Sequence, residues 1–292
     1  MFPARIEHYA RPRTVAEALA ALSRCEPGEA IFLAGGQSAM QAIKSRMLRP
    51  QAVVDLQAVA ELKGMTLNGG ALTIGAMTRY ADIARDARLG GAFGALSDAA
   101  SHVGDRQVRN RGTIGGSVCW NYVAACTPTA VLATGGRMNL VATSGATRSL
   151  IADDFLLGPL ETARQDDELL LSVSWDAPAA RTGSAYAKWG LVTDALPVIG
   201  VGVSVTLDAG GKCVQARVAL AGLAGGAQRG PAAEAVLLGG AGDVANIDAA
   251  FAALAAEADT HSDLSADADY RRQLIQSLGH EVAQRAFDRA RA

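Results

Sequence analysis

The sequence has few aromatic residues, no clustered cysteines or histidines, no long apolar run and no excess of positive charge. Phe, Trp and Tyr make up only 5% of the 292 residues, so a core must be built mainly from Ala, Val, Leu and Ile. No stretch approaches the roughly 18 apolar residues of a membrane helix, so no membrane span is expected. Met1–His8 lacks the apolar centre of a signal peptide. Cys25, Cys119, Cys126 and Cys213 show no CxxC spacing, which excludes zinc knuckles and iron–sulfur ligation and leaves no metal site to expect. Scattered free thiols favour a reducing compartment, with the cytoplasm as the default. Lys plus Arg number 27 against 29 Asp plus Glu, a formal charge of −2. Nucleic-acid binders carry a net basic surface, so no nucleic-acid partner is expected.

The usual catalytic signatures are missing too. Gly200-Val-Gly202 lacks the third glycine of a dinucleotide fingerprint and sits inside a strand-like run. No GxxxxGK[ST] or GxSxG occurs, which removes Walker-type NTPases and serine hydrolases of the elbow type. His8, His102, His261 and His280 are scattered, and His280-Glu281 reads as part of a solvated helix face. No side chain is therefore expected as a catalytic acid, base or nucleophile. The chemistry is expected of a bound cofactor, with the chain supplying grip and electrostatics.

Glycine, in contrast, is abundant at 32 residues, and two segments concentrate it. Leu33-Ala-Gly-Gly-Gln-Ser38 follows a short apolar strand, and Arg111-Gly-Thr-Ile-Gly-Gly-Ser117 echoes it later. Glycines permit positive φ and close approach, so each segment can point several N–H dipoles at one anion. Two such segments suit a ligand with two phosphates. By itself the first also fits an ordinary strand-to-helix turn, and the second a hairpin or bulge. Arg106, Arg109 and Arg111 can steer anions, Asp55 fits a loop carboxylate bonding nearby backbone, and Lys188 in an apolar strand needs a partner.

Along the chain, Thr14-Val-Ala-Glu17 reads as a capping box opening a helix over 14–23. A strand at 30–33, a helix from Ser38 to Met47 with Met40, Ile43 and Met47 on one side, and a strand at 52–56 complete an α/β unit over 1–57. Residues 58–176 read as α+β. A hairpin at 65–67 and 71–74 turns at Asn68-Gly69-Gly70, and helices follow over 79–85 and 91–103. The second glycine segment occupies 104–117, Pro128 opens a helix over 129–133, and strands follow at 137–142, 147–151 and 168–175. Asp176–Ala180 is a linker. Over 177–292, antiparallel strands at 184–188, 198–207 and 213–220 are covered by helices over 231–238, 246–258 and 267–289.

Taken in order, "LAGGQS", "RPQAVVDL", "LTIGAMTRYADIA" and "VGDRQVRNRGTIGGS" resemble the medium, FAD-binding subunits of molybdenum hydroxylases. That group includes carbon monoxide dehydrogenase and xanthine dehydrogenase. "AYAKW", Gln215–Leu220 and Tyr270–Leu274 extend the resemblance over roughly residues 3–285. It implies an α+β fold: a two-subdomain FAD-binding fold of the cresol methylhydroxylase and vanillyl-alcohol oxidase type, then a C-terminal α+β domain. It also implies FAD on this chain, a large molybdopterin subunit, a small subunit with two [2Fe–2S] clusters, and a dimer of such heterotrimers. Electrons would pass from the clusters through FAD to NAD⁺, oxygen, a quinone or another carrier. By resemblance, Ala34, Gly35, Gly36, Gln37 and Ser38 form the first pyrophosphate loop, and Thr113, Ile114, Gly115, Gly116 and Ser117 the second. Lys188 matches a lysine near the flavin ring. Cys126 stands where relatives place an aspartate against the ribityl chain, Leu196 where many place an aromatic, and Gly190-Leu191 where an arginine pair is expected. A scaffold subunit with a degenerate FAD pocket, or a standalone flavin reductase on the same fold, are the alternative readings.

Overall fold

The structure is a computed structural model that describes residues 3–292. The chain opens with β1 (His8–Ala10), α1 (Val15–Leu22), β2 (Ala30–Leu33), α2 (Ala39–Lys44) and β3 (Ala52–Asp55). The strands form a parallel sheet in the order β1-β3-β2, with Leu33 level with Asp55 at its C-terminal edge. The Thr14 hydroxyl accepts from Glu17 N–H at 3.1 Å, while the Glu17 carboxylate reaches the Arg13 N–H, one residue short of a closed capping box. α2 is shorter than the sequence suggests. It stops at Lys44, Arg46 turns to φ +62°, and Met47 is 81% exposed instead of sharing the buried side with Ile43. β1 is a strand the sequence reading did not include; it is short and has too little apolar pattern to announce itself.

The middle of the chain contains β4 (Met65–Asn68), β5 (Ala71–Gly75), α3 (Tyr80–Arg85), α4 (Gly94–Ser101), α5 (Arg106–Arg109), α6 (Ile114–Trp120) and α7 (Cys126–Thr134). It continues with β6 (Arg137–Ala142), β7 (Thr147–Ile151), α8 (Ala152–Phe155), β8 (Leu156–Gly158), β9 (Glu161–Thr162) and β10 (Glu168–Trp175). An antiparallel sheet runs β4-β5-β10-β6-β7. The helix expected over 91–103 begins instead as a 3₁₀ turn at Gly91–Phe93, because Gly91 sits at φ +50°. α7 starts at Cys126, three residues before the expected Thr129. Pro128 is tolerated there because the first helical N–H groups have no intrahelical acceptor to lose. Residues 104–117 are not one loop, since α5 and the first turn of α6 fall inside them.

The last third comprises β11 (Thr182–Trp189), β12 (Ile199–Leu207), β13 (Cys213–Ala221), β14 (Gln228–Arg229), α9 (Pro231–Leu237), α10 (Val244–Glu257) and α11 (Ala268–Arg291). Period-two alternation sorts β11 and β12 between two cores. Ala185, Ala187, Val201, Val203 and Val205 face the helices α9–α11, where Phe251 and Phe287 are fully buried. Each such phenylalanine contributes about 2–3 kcal/mol of apolar transfer energy. Tyr186, on the opposite face of β11, belongs to the core of the middle sheet. Gly200 and Gly202 share that face: a Cβ on Gly202 would lie 3.0 Å from Ala133 Cβ, so Gly200-Val-Gly202 serves close approach of α7. Asp98 on α4 ties the faces together, accepting from Tyr186 N–H at 3.1 Å and from Arg289 at 2.7 and 3.0 Å. The Ser184 hydroxyl adds a bond to Ala92 O at 2.7 Å and accepts from Ala95 N–H at 3.0 Å.

Candidate functional site

The two glycine segments lie far apart in sequence and meet in the fold. β2 delivers Ala34–Ser38 to the C-terminal edge of the parallel sheet, the usual ligand edge of such sheets. There Gly35 is buried against the second segment. A Cβ on it would sit 2.7 Å from Arg111 C and 2.8 Å from Gly112 Cα, and closer still to the Arg111 carbonyl oxygen. Gly36 adopts φ +75°, which a side chain would disfavour. A Cβ on Gly115 would come within 2.6 Å of Ala76 Cβ, and one on Gly116 within 3.2 Å of Ala34 Cβ. Thr113 pairs with Arg79 in an isolated antiparallel bridge that pins the second segment to the start of α3.

The segments differ in what they leave free. Among the described residues, the N–H groups of Gly35, Gly36, Gln37 and Ser38 find no acceptor. Gln37 Nε2 donates to Gly35 O at 3.3 Å, and the Ser38 side chain makes no cap bond to α2. The second segment instead spends its donors inside the protein. Ile114 N–H donates to Thr78 O at 3.1 Å, Gly115 N–H to Ala76 O at 2.9 Å and Ser117 N–H to Thr113 O at 3.1 Å. Gly116 N–H is capped by the Thr113 hydroxyl at 3.1 Å. The expectation of a backbone nest at Arg111–Ser117 is therefore corrected. This segment is the capped start of α6, and it offers the Thr113 N–H and the hydroxyls of Thr113 and Ser117. Its glycines exist for packing.

A crevice between the segments is bordered by Gly35, Gln57, Lys63, Arg79, Arg111 and Thr113. Lys63 donates to Gln57 O at 2.6 Å, while Arg79 and Arg111 form no ion pair among the described residues. Lys63 and Arg79 carried no signal in the sequence, because only the fold brings them to the glycines. Arg109 turns inward to Val103 O and Gly104 O and holds a turn. Asp55 is buried, accepts from Gln57 N–H at 2.9 Å as a local cap, and also receives the Tyr9 hydroxyl at 2.6 Å.

From Thr113 the polar lining continues one helical turn to Ser117 and on to the start of α7. Tyr80 lies beside Ser117 and Thr127, and burial pushes its phenol up to about 12. Cys126, the first residue of α7, is 5% exposed, and burial raises its thiol, against opposing effects of Tyr186 and Lys188. The buried hydroxyls of Thr127 and Tyr186 have no hydrogen-bond partner among the described residues. Lys188, two residues after Tyr186 and on the same face of β11, is half-buried. Desolvation lowers its ammonium, Cys126 and Asp194 oppose this, and Arg109 adds to it. Its Nζ donates to Ala195 O, which is the partner that its strand position demanded. Leu196 does not join this cluster; it is 59% exposed on the loop after β11, with Leu191 at 59% and Val192 at 66%.

This arrangement fits FAD. The free N–H groups that begin at Gly35, beside a crevice bordered by Lys63, Arg79 and Arg111, suit a diphosphate. Residues 4–175 match the family model described as the FAD binding domain in molybdopterin dehydrogenase, and residues 184–286 match the CO dehydrogenase flavoprotein C-terminal domain. The carbon monoxide dehydrogenase medium chain of Hydrogenophaga pseudoflava is 32% identical over 99% of this chain and 98% of that one. The nicotine 6-hydroxylase medium subunit of Paenarthrobacter nicotinovorans is 31% identical over 92% and 93%. A solved structure of the Hydrogenophaga pseudoflava carbon monoxide dehydrogenase superposes with a TM-score of 0.91, at 33% identity and covering 99% of both chains. The chain belongs to the FAD-binding medium subunits of the molybdenum hydroxylases, a family of oxidoreductases.

Proposed function

We propose that this chain is the FAD-carrying electron-transfer subunit of a heterotrimeric molybdenum hydroxylase. The free N–H groups of Gly35–Ser38, with Gly35 bordering the same crevice as Lys63, Arg79 and Arg111, carry the reading. In it, Ala34–Ser38 hold the pyrophosphate with the Thr113 N–H and the Thr113 and Ser117 hydroxyls of the second segment, and Cys126 lies at the ribityl chain. Lys188 lies at the ring. Bound FAD supplies the one- and two-electron chemistry that the chain's own residues lack. Their part is to bind the diphosphate, orient the ring at the seam between the middle sheet and β11, and keep water from it. Electrons would enter from the [2Fe–2S] clusters of a small subunit and leave to NAD⁺, oxygen, a quinone or another carrier. A large subunit would hold molybdopterin and select the substrate.

The same reading divides the chain into subdomains 1–57 and 58–176, of the vanillyl-alcohol oxidase type, and a domain over 177–292. It places a dimer of heterotrimers in the cytoplasm. No helix among the described residues is long and apolar enough to cross a membrane. Against a scaffold role stand the N–H groups of Gly35–Ser38, which find no acceptor among the described residues. Against a standalone reductase stands the lack, in the sequence, of a substrate-side histidine, glutamate or serine constellation. Expression with its neighbouring subunits tests the proposal. The expected product is yellow, with one FAD per chain, and co-purifies with iron–sulfur and molybdenum subunits. A colourless complex refutes the electron-transfer role, and a yellow chain without partners refutes the heterotrimer.

A further inference from the structure

The crevice at the first glycine segment takes its borders from separate stretches of chain, and one buried hydroxyl joins two of them. Thr78 lies between β5 and α3 and is 3% exposed. Its Oγ1 accepts from Gly64 N–H at 3.0 Å and donates to Gly64 O at 2.9 Å, so its one proton and a lone pair both go to a single residue. The Thr78 carbonyl accepts from Ile114 N–H at 3.1 Å, and Tyr80 N–H reaches Gly112 O at 3.1 Å. Residues 78–80 therefore hold Gly64 on one side and the second glycine segment on the other. Gly64 turns at φ +97°, and a Cβ there would meet nothing within 4 Å, so no neighbour packs against it from that side. The Thr78 hydroxyl is the acceptor for its N–H, while its carbonyl also receives Gly75 N–H at 3.0 Å. On the other side of Lys63, Leu62 is fully buried and its carbonyl accepts from Met77 N–H at 2.7 Å. Lys63 is exposed and stands between these two anchors. Its Nζ gives one of three N–H donors to Gln57 O at 2.6 Å, and the other two find no acceptor among the described residues.

We propose that Thr78 is a positioning residue for the diphosphate: by clamping Gly64 it fixes the backbone that presents Lys63 beside Gly35, Arg79 and Arg111. This rests on the FAD reading above. Thr78 itself does not border the crevice, so its effect passes through Lys63. Without the hydroxyl, Gly64 N–H loses its acceptor and the turn is held from its carbonyl alone. The turn then opens toward water to satisfy that donor. The ammonium moves with it, and the crevice binds the diphosphate with one cation fewer.

The measurement is the FAD dissociation constant of the purified complex, from flavin fluorescence on serial dilution at two ionic strengths, with the urea midpoint of unfolding beside it. Thr78→Val has a similar shape and no hydroxyl. It is expected to weaken FAD binding about tenfold and to flatten its salt dependence, as Lys63→Met does. Thr78→Ser keeps the hydroxyl and is expected to stay within about threefold of the parent. The double variant separates positioning from general structure. If Thr78 acts through Lys63, adding Thr78→Val to Lys63→Met weakens binding by less than about twofold more, because both changes remove one interaction. An undiminished effect of Thr78→Val in the Lys63→Met background overturns the inference. So does a Thr78→Val complex with parent affinity and salt dependence, and either result leaves the FAD reading intact. Should Thr78→Val fail to fold, Thr78→Ala takes its place under the same criteria, and a Lys63→Met complex with parent affinity overturns the inference in either case. Absence of flavin from the parent complex overturns the reading itself and the inference with it.

Discussion

Replacing Gly35 by alanine adds one methyl group at the point where the two glycine segments touch. Its conformation is not the obstacle, since Gly35, unlike Gly36, does not have a positive φ. The obstacle is backbone. The new Cβ would lie 2.7 Å from Arg111 C and 2.8 Å from Gly112 Cα, against the ordinary 3.5–4.0 Å or so between such carbons. Neither neighbour is a flexible side-chain end, so the segments must separate by roughly 1 Å. Overpacking of this kind costs about 1–3 kcal/mol. In the proposed site, the same displacement would also draw the Gly35–Ser38 donors away from the diphosphate. Each charge-assisted bond lost is worth about 1.5–3 kcal/mol, hence tenfold or more in FAD affinity. The assay is flavin absorbance per chain after dialysis, together with the urea midpoint of unfolding. Gly69→Ala is the control. It is a positive-φ glycine with nothing within 4 Å, at a hairpin remote from the crevice, and should retain its flavin. A Gly35→Ala protein with full flavin and an unchanged midpoint would falsify the close-approach argument.

Three further outcomes are expected. Arg79→Ser with Arg111→Ser should weaken FAD binding about tenfold and flatten its dependence on salt, because two exposed cations would no longer face the diphosphate; titration of the apo-protein at two ionic strengths reads this out. Asp98→Ala should cost about 1–3 kcal/mol in urea unfolding and increase proteolysis at Asp176–Ala180, since it frees Arg289 and the Tyr186 N–H at once. Glu168 governs an acid limb. Desolvation raises its carboxyl, but hydrogen bonds from Arg148 at 2.6 and 2.8 Å and from Gln165 N–H at 2.7 Å outweigh it and hold it below the usual range. The unfolded chain therefore binds this proton more tightly than the folded one. The stabilisation is complete above the unfolded value, near 4.3, and is lost as pH falls through the lower folded value. With Arg148 partly in solvent the effect is about 1 kcal/mol, and a Glu168→Gln protein showing the same acid-side slope would count against it.

The functional ligand was more legible in the sequence than the way the protein builds its site. Gly36 follows a short apolar strand, so a tight turn at a helix start was readable from local order alone. The same local logic misled at Arg111–Ser117. Paired glycines looked like a second nest, but tertiary contacts with Ala76, Thr78 and Tyr80 take up the donors and make the glycines packing residues. The alternation in Tyr186-Ala-Lys188 announced a strand with an awkward lysine. Only the folded chain shows that its Nζ ends on the Ala195 carbonyl of the loop after β11.

The sequence by itself determined the family, the order of most of the longer helices and strands and the presence of two glycine segments, because these depend on near-neighbour spacing and on ordered motifs. Tertiary structure alone decided that Gly35 touches Arg111, that Lys63 and Arg79 border the crevice, and that the donors belong to the first segment. It also decided that the Cys126 thiol is buried and that Lys188 ends on the Ala195 carbonyl. Most of these are meetings of residues distant in the chain, set by how the sheets and α7 pack. Hydrogen-bond satisfaction and electrostatic field are properties of that packing and leave no local pattern to read.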